Sequence, residues 1–133
     1  MSKPSALLEH LLDQLAPIGQ PQGRTMFSGH GLYLDGLFIG IIADETLYLK
    51  ADELSQPAFA AAGMAPFTYR SRGRQVALSF WEAPADVIED PQELWRWARE
   101  ALRAARRARA EKAPRGAARR SSFPRRRPMV PPN

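Results

Sequence analysis

No cysteine occurs among the 133 residues, and that single absence removes disulfide frameworks, thiolate zinc sites, cysteine nucleophiles and thiol redox chemistry together. Imidazole is almost as scarce. His10 and His30 are the only two, with no His-x-x-x-His or Glu-x-x-His pair, so a three- or four-ligand metal site is not expected. Ser28 has no histidine and orienting carboxylate at any motif spacing, which leaves a nucleophilic triad unsupported. Long apolar runs are missing as well. Leu37 to Ala43 and Ala58 to Phe67 fall far short of the ~20 residues that span a bilayer. The first residues, broken by Glu9, His10 and Asp13, hold no signal-peptide core. These absences lead to the expectation of a soluble, cytoplasmic, non-enzymatic protein with no catalytic residues, no metal, no cofactor and no membrane partner.

What is present suits one hydrophobic core. A chain of this length buries about two-thirds of its unfolded surface, and 44% apolar residues are enough to do so without metal or disulfides. The charge is divided unevenly. Residues 1–100 carry 8 Lys and Arg against 13 Asp and Glu, a net of −5, whereas residues 101–133 carry 11 against 1, a net of +10. An acidic body therefore precedes a strongly basic end, and like charges in one segment extend the chain and attract polyanions.

Leu7, Leu8, Leu11, Leu12 and Leu15 recur at helical spacing, predicting a first helix over about Ser5 to Ala16, after which Pro17, Gly19, Pro21 and Gly23 form a loop. From Arg24 the period becomes two. Arg24 to Phe27, Gly31 to Leu34, Leu37 to Ile42 and Thr46 to Lys50 read as strands, and the two-residue Asp35-Gly36 turn makes Leu32 to Ile41 a hairpin. The apolar run Leu37 to Ile42 predicts a central strand covered on both faces. Ser55, Pro57, Phe59 and Gly63 outline a short second helix. Phe67 to Arg70 and Gln75 to Glu82 then form a second hairpin. Asp90-Pro91 opens a last helix with Leu94, Ala98, Ala101, Leu102 and Ala105 on one face and arginines on the other. The domain is read as residues 1–113, and residues 114–133 as a disordered Arg/Pro-rich basic tail.

Met26-Phe27-Ser28-Gly29-His30-Gly31-Leu32-Tyr33, Leu47-Tyr48-Leu49-Lys50, Phe59 with Gly63, Pro66, Phe67 and Tyr69, and Glu89-Asp90-Pro91 with Leu94 follow one another in an order and spacing that resembles the N-terminal domain of the TfoX/Sxy family. The resemblance spans about Leu7 to Ala105. It implies an α+β fold, an antiparallel sheet of about five to six strands packed by N-terminal and C-terminal helices, similar to YgaC-like and secretion-chaperone-like folds. It also implies a link to natural competence, where such proteins act as transcriptional co-activators. The family's C-terminal domain is replaced here by the arginine tail.

Each candidate site has a plain structural alternative. Ser28-Gly29-His30-Gly31 could cradle an anion, but it lacks phosphate-loop spacing and leads into no helix, so a tight strand connection is favoured. Asp86, Glu89, Asp90 and Glu93 read as charge complementing a helix N-terminus rather than as a cation site. Trp81, Trp95 and Trp97 read as core packing rather than as a partner surface. The basic residues compete better. Arg96, Arg99, Arg103, Arg106, Arg107, Arg109, Lys112, Arg119, Arg120, Arg125, Arg126 and Arg127 are candidates for nucleic-acid phosphates, with Phe123 placed to stack on a base. A solubilising end, or basic residues folded back on the acidic body, are the alternatives. The function expected is a binding or regulatory module with non-specific nucleic-acid affinity, and the alternative is a protein-interaction adaptor, monomeric or homodimeric, with a transcription-related partner.

Overall fold

The computed structural model describes residues 5–26 and 29–112. Helix α1 (Ala6–Leu15) begins at Ser5, whose extended backbone lets its hydroxyl accept the Leu8 N–H at 3.0 Å, a side-chain cap of the usual kind. A second group reinforces it from 38 residues away: the Glu45 carboxylate accepts the Leu7 N–H at 3.1 Å and the Ser5 hydroxyl proton. One 3-10 turn, Ala16–Ile18, follows.

The loop expected to run through Gly23 ends sooner. Strand β1 (Pro21–Met26) pairs antiparallel with β2 (Gly29–Leu34), Pro21 opposite Leu34. Proline is tolerated because it is the first residue of an edge strand. Strands β3 (Leu37–Ala43) and β4 (Thr46–Lys50) continue as a meander. Its turns are two-residue pairs, Asp35-Gly36 and Asp44-Glu45, with φ of 52°, 82°, 51° and 54°, the twist-matched geometry of tight hairpins. Helix α2 (Gln56–Ala61) then leads to β5 (Pro66–Ser71) and β6 (Arg74–Glu82), joined through Arg72-Gly73.

The sheet order is β1-β2-β3-β4-β6-β5, six strands among the described residues, so the α+β antiparallel sheet expected from the sequence is the one observed. Only Phe80, Trp81 and Glu82 of β6 pair with β4. The remainder of the β5–β6 hairpin projects as an arm with Thr68 to Gln75 exposed. Helix α3 (Ala85–Glu89) has no counterpart in the sequence reading, since five residues with one buried side chain, Val87, are too few to show a period. Helix α4 (Pro91–Lys112) starts as its sequence dictates, Asp90 Oδ1 accepting the Gln92 N–H at 3.0 Å ahead of Pro91.

Alternation divides the sheet into two faces. Leu32, Leu34, Leu47 and Leu49 point to the helices and are fully or almost fully buried with Leu11, Leu15, Leu94 and Leu102, each contributing roughly 1.5–3 kcal/mol by burial. Ala98, Ala101, Ala104 and Ala105 are buried too, and their small volume lets α4 approach the sheet closely. The Trp95 indole N–H donates to the Gln14 carbonyl at 2.7 Å, tying α4 to α1. Trp81 and Trp97 pack around Phe59, with ring centroids 6.1 and 4.9 Å away, so the tryptophans belong to the packing. The other face carries Tyr33, Phe38, Ile41, Tyr48 and Phe67. Strand β3 is central, yet among the described residues the cover expected on its second side is supplied by neighbouring rings and not by another element: Phe38 and Ile41 are half-buried there.

Candidate functional site

The arginine stripe predicted on the last helix is present, and its members differ in environment. Arg107 is held hardest. Its guanidinium donates to both carboxylate oxygens of Asp52, at 2.6 and 2.9 Å, a paired geometry that fixes orientation as well as charge. Arg107 holds the Asp52 carboxyl down at about 2, against burial, which acts to raise it. No local pattern points to this partner, because the two residues lie 55 positions apart.

Arg96 and Arg103 meet Glu93 and Glu100 one turn before them, Arg96 at 2.7 Å. These pairs are exposed, and solvent and salt screen such pairs, so a phosphate can displace the glutamates. Arg99, Arg106 and Arg109 are exposed and have no hydrogen bond or ion pair among the described residues. Lys112 closes the helix. Arg115, Arg119, Arg120, Phe123, Arg125, Arg126 and Arg127 lie outside the described residues, as does Ser28.

A second surface escaped the sequence reading. On the ring-bearing face Tyr33 stacks on Phe38 with centroids 5.0 Å apart and planes at 19°, and Phe38 meets Phe80 at 5.0 Å. Cations close the row at both ends: the Arg24 guanidinium sits 4.6 Å from the Tyr33 centroid and the Lys50 ammonium 5.2 Å from that of Phe80. Gly31 makes room for the row, since a Cβ there would lie 2.9 Å from Met26 Cε and 3.2 Å from both the Phe38 and Tyr33 rings. Where the end of α4 comes level with these rings, Ala105, Ala108 and Arg109 form the opposite wall of a groove of about 730 Å³. The signal available in the sequence was aromatic residues at alternate strand positions. It could not be read as one row, because the register that aligns Phe38 with Phe80 depends on β6 and not β5 lying beside β4.

Further along the same face Met26, His30, Ile41, Phe67, Tyr69 and Leu78 line an apolar cavity of about 560 Å³. Beside Phe67, Tyr48 has its hydroxyl pushed up by burial first and then by Glu82 and Asp44.

Gly29, His30 and Gly31 lie in β2 and not in a loop. Gly29 is required by close approach, as a Cβ would stand 2.2 Å from the Ile42 carbonyl oxygen. His10 bonds the Ile88 carbonyl through Nε2 at 3.1 Å. Of the acidic group ahead of the last helix, Asp90 caps α4 and Glu93 pairs with Arg96. Among the described residues no three His, Asp or Glu side chains come together as metal ligands, and no helix is long and apolar enough to cross a membrane.

The architecture defines a class, an α+β domain whose terminal helices share one face of an antiparallel sheet. Residues 13–105 match the family model of the TfoX N-terminal domain, and the chain belongs to that family. A comparison with curated proteins finds no match.

Proposed function

We propose that this chain is a non-enzymatic regulatory module that holds nucleic acid through arginines on the solvent side of α4, continued by those in residues 113–133. The observation that carries the reading is the stripe itself. Arg99, Arg106 and Arg109 face solvent on a rigid helix, and Arg96 and Arg103 are engaged only by exposed glutamates. Guanidinium groups in this setting neutralise phosphates and release counterions without reading sequence. Competence-type transcriptional regulation is the biological setting that family membership suggests.

The test is fluorescence anisotropy with labelled DNA and RNA at two salt concentrations, using the full chain and a chain ending at Lys112. About six phosphate contacts give a fall in log K of about 5 per decade of salt. Arg99→Gln with Arg106→Gln is expected to reduce that slope by about 2, and the shorter chain to reduce it further. Salt-independent binding, or none, overturns the reading.

The apolar cavity around Ile41, Phe67 and Tyr69, with Tyr69 45% exposed, favours a second reading, a homodimeric protein-interaction adaptor. Sedimentation velocity distinguishes it: a dimer that Tyr69→Asp converts to monomer supports the adaptor, and a monomer at all concentrations sinks it.

A further inference from the structure

We infer that the groove between the end of α4 and the ring row is a binding site for single-stranded nucleic acid, where unpaired bases pack on the rings and phosphates are held by Lys50 and Arg109. This deepens the proposed function, on which it rests, by naming the strand form bound and the place.

Three observations converge on that chemistry. The floor of the groove is aromatic, with Phe38 in contact with Tyr33 on one side and Phe80 on the other, and an aromatic surface on an open sheet accepts any base, because every base has a π-face. Among the described residues the charged groups that line it are both cations, Lys50 and Arg109. The Lys50 ammonium is already oriented, donating to Ser79 Oγ at 2.7 Å while lying over the Phe80 ring.

Position supplies the fourth argument. Arg109 belongs at once to the groove and to the arginine stripe, so a strand lying in the groove continues directly onto the α4 cations. A duplex cannot use the rings, since its bases are stacked on one another and present only edges in its grooves. On its other side Lys50 borders a pocket that holds Asp52, Glu53 and Glu111, with Asp52 paired to Arg107, so a strand approaches from the Arg109 side of the groove.

The experiment uses the full chain with a fluorescein-labelled 12-nucleotide single strand of mixed sequence and the corresponding duplex. Phe38→Leu keeps apolar volume and removes the ring, and Lys50→Gln removes a charge while keeping a hydrogen-bond donor. Each is expected to weaken single-strand binding about tenfold, the effect of losing one stack or one held phosphate, with duplex binding changed less than twofold. Circular-dichroism melting reports whether Phe38→Leu is folded. Should it not be, Lys50→Gln and Arg109→Gln decide alone. Single-strand affinity unchanged in both Lys50→Gln and the folded Phe38→Leu protein overturns the groove, and if the salt slope still falls in Arg99→Gln with Arg106→Gln, the proposed function survives it. No binding of either strand form removes both. A Phe38→Leu change that alters only sedimentation assigns the face to a second copy and overturns the inference.

Discussion

The two faces of the sheet are built from different chemistry. Toward the helices it offers leucine and isoleucine against the leucines and alanines of α1 and α4, with almost nothing left accessible. Toward the other side it offers Tyr33, Phe38, Tyr48 and Phe67, half-buried by one another and bordered by Arg24, Lys50 and Glu82. Branched aliphatic chains interlock and exclude water from an interior. Rings with cations over them keep an apolar body in contact with solvent and retain capacity for a partner. Stability is therefore concentrated on the first face, and the second is the one that the proposed groove uses.

Substitutions can break that division. Leu49→Ala on the helix side is expected to cost about 2–5 kcal/mol through lost burial and a cavity, read as a large fall in Tm. Phe38→Leu on the other side is expected to cost under about 1.5 kcal/mol, and an equal loss for both would erase the distinction. Gly29→Ala, which presses a methyl against the Ile42 carbonyl, is expected to cost about 1–3 kcal/mol by overpacking and to change the melting curve without touching the arginine stripe or the groove beside Phe38.

The Asp52–Arg107 pair, partly exposed and so partly screened by solvent, should give a coupling energy of about 1–2 kcal/mol in a double-mutant cycle with Asp52→Asn and Arg107→Gln. Its pH dependence has a fixed sign. The Asp52 carboxyl is lowered from 3.8 to about 2, so its stabilisation is complete above about pH 4 and is lost as pH falls towards 2. Glu45, lowered by the Ser5 hydroxyl first and the Leu7 N–H second, changes in the same direction. Acid denaturation of Asp52→Asn should be correspondingly shallower. At the small end, Arg99→Gln and Arg106→Gln should leave stability within about 0.5 kcal/mol of the original while reducing the salt dependence of nucleic-acid binding.

The sequence was legible where the signal is local. Leucine spacing marked α1, Asp35-Gly36 marked a hairpin, and Asp90-Pro91 marked the start of α4, because caps and two-residue turns act over a few residues. Pro21 misled, since a proline reads as a breaker until its place at an edge strand is known. The arginine stripe could be seen on α4, but the engagement of Arg107 by Asp52 could not, and neither could the ring row, because both depend on strand order and on residues tens of positions apart.

The two-residue turns have a consequence for the order of folding. Asp35-Gly36 and Asp44-Glu45 close β2, β3 and β4 with loops as short as loops can be, so this meander can assemble at little cost in loop entropy. The Trp95–Gln14 bond spans 81 positions and can form only after α4 has been brought back across the sheet. All three tryptophans lie in β6 or α4, so their fluorescence is expected to report the closing of the chain, trailing the far-ultraviolet signal of the meander that templates it.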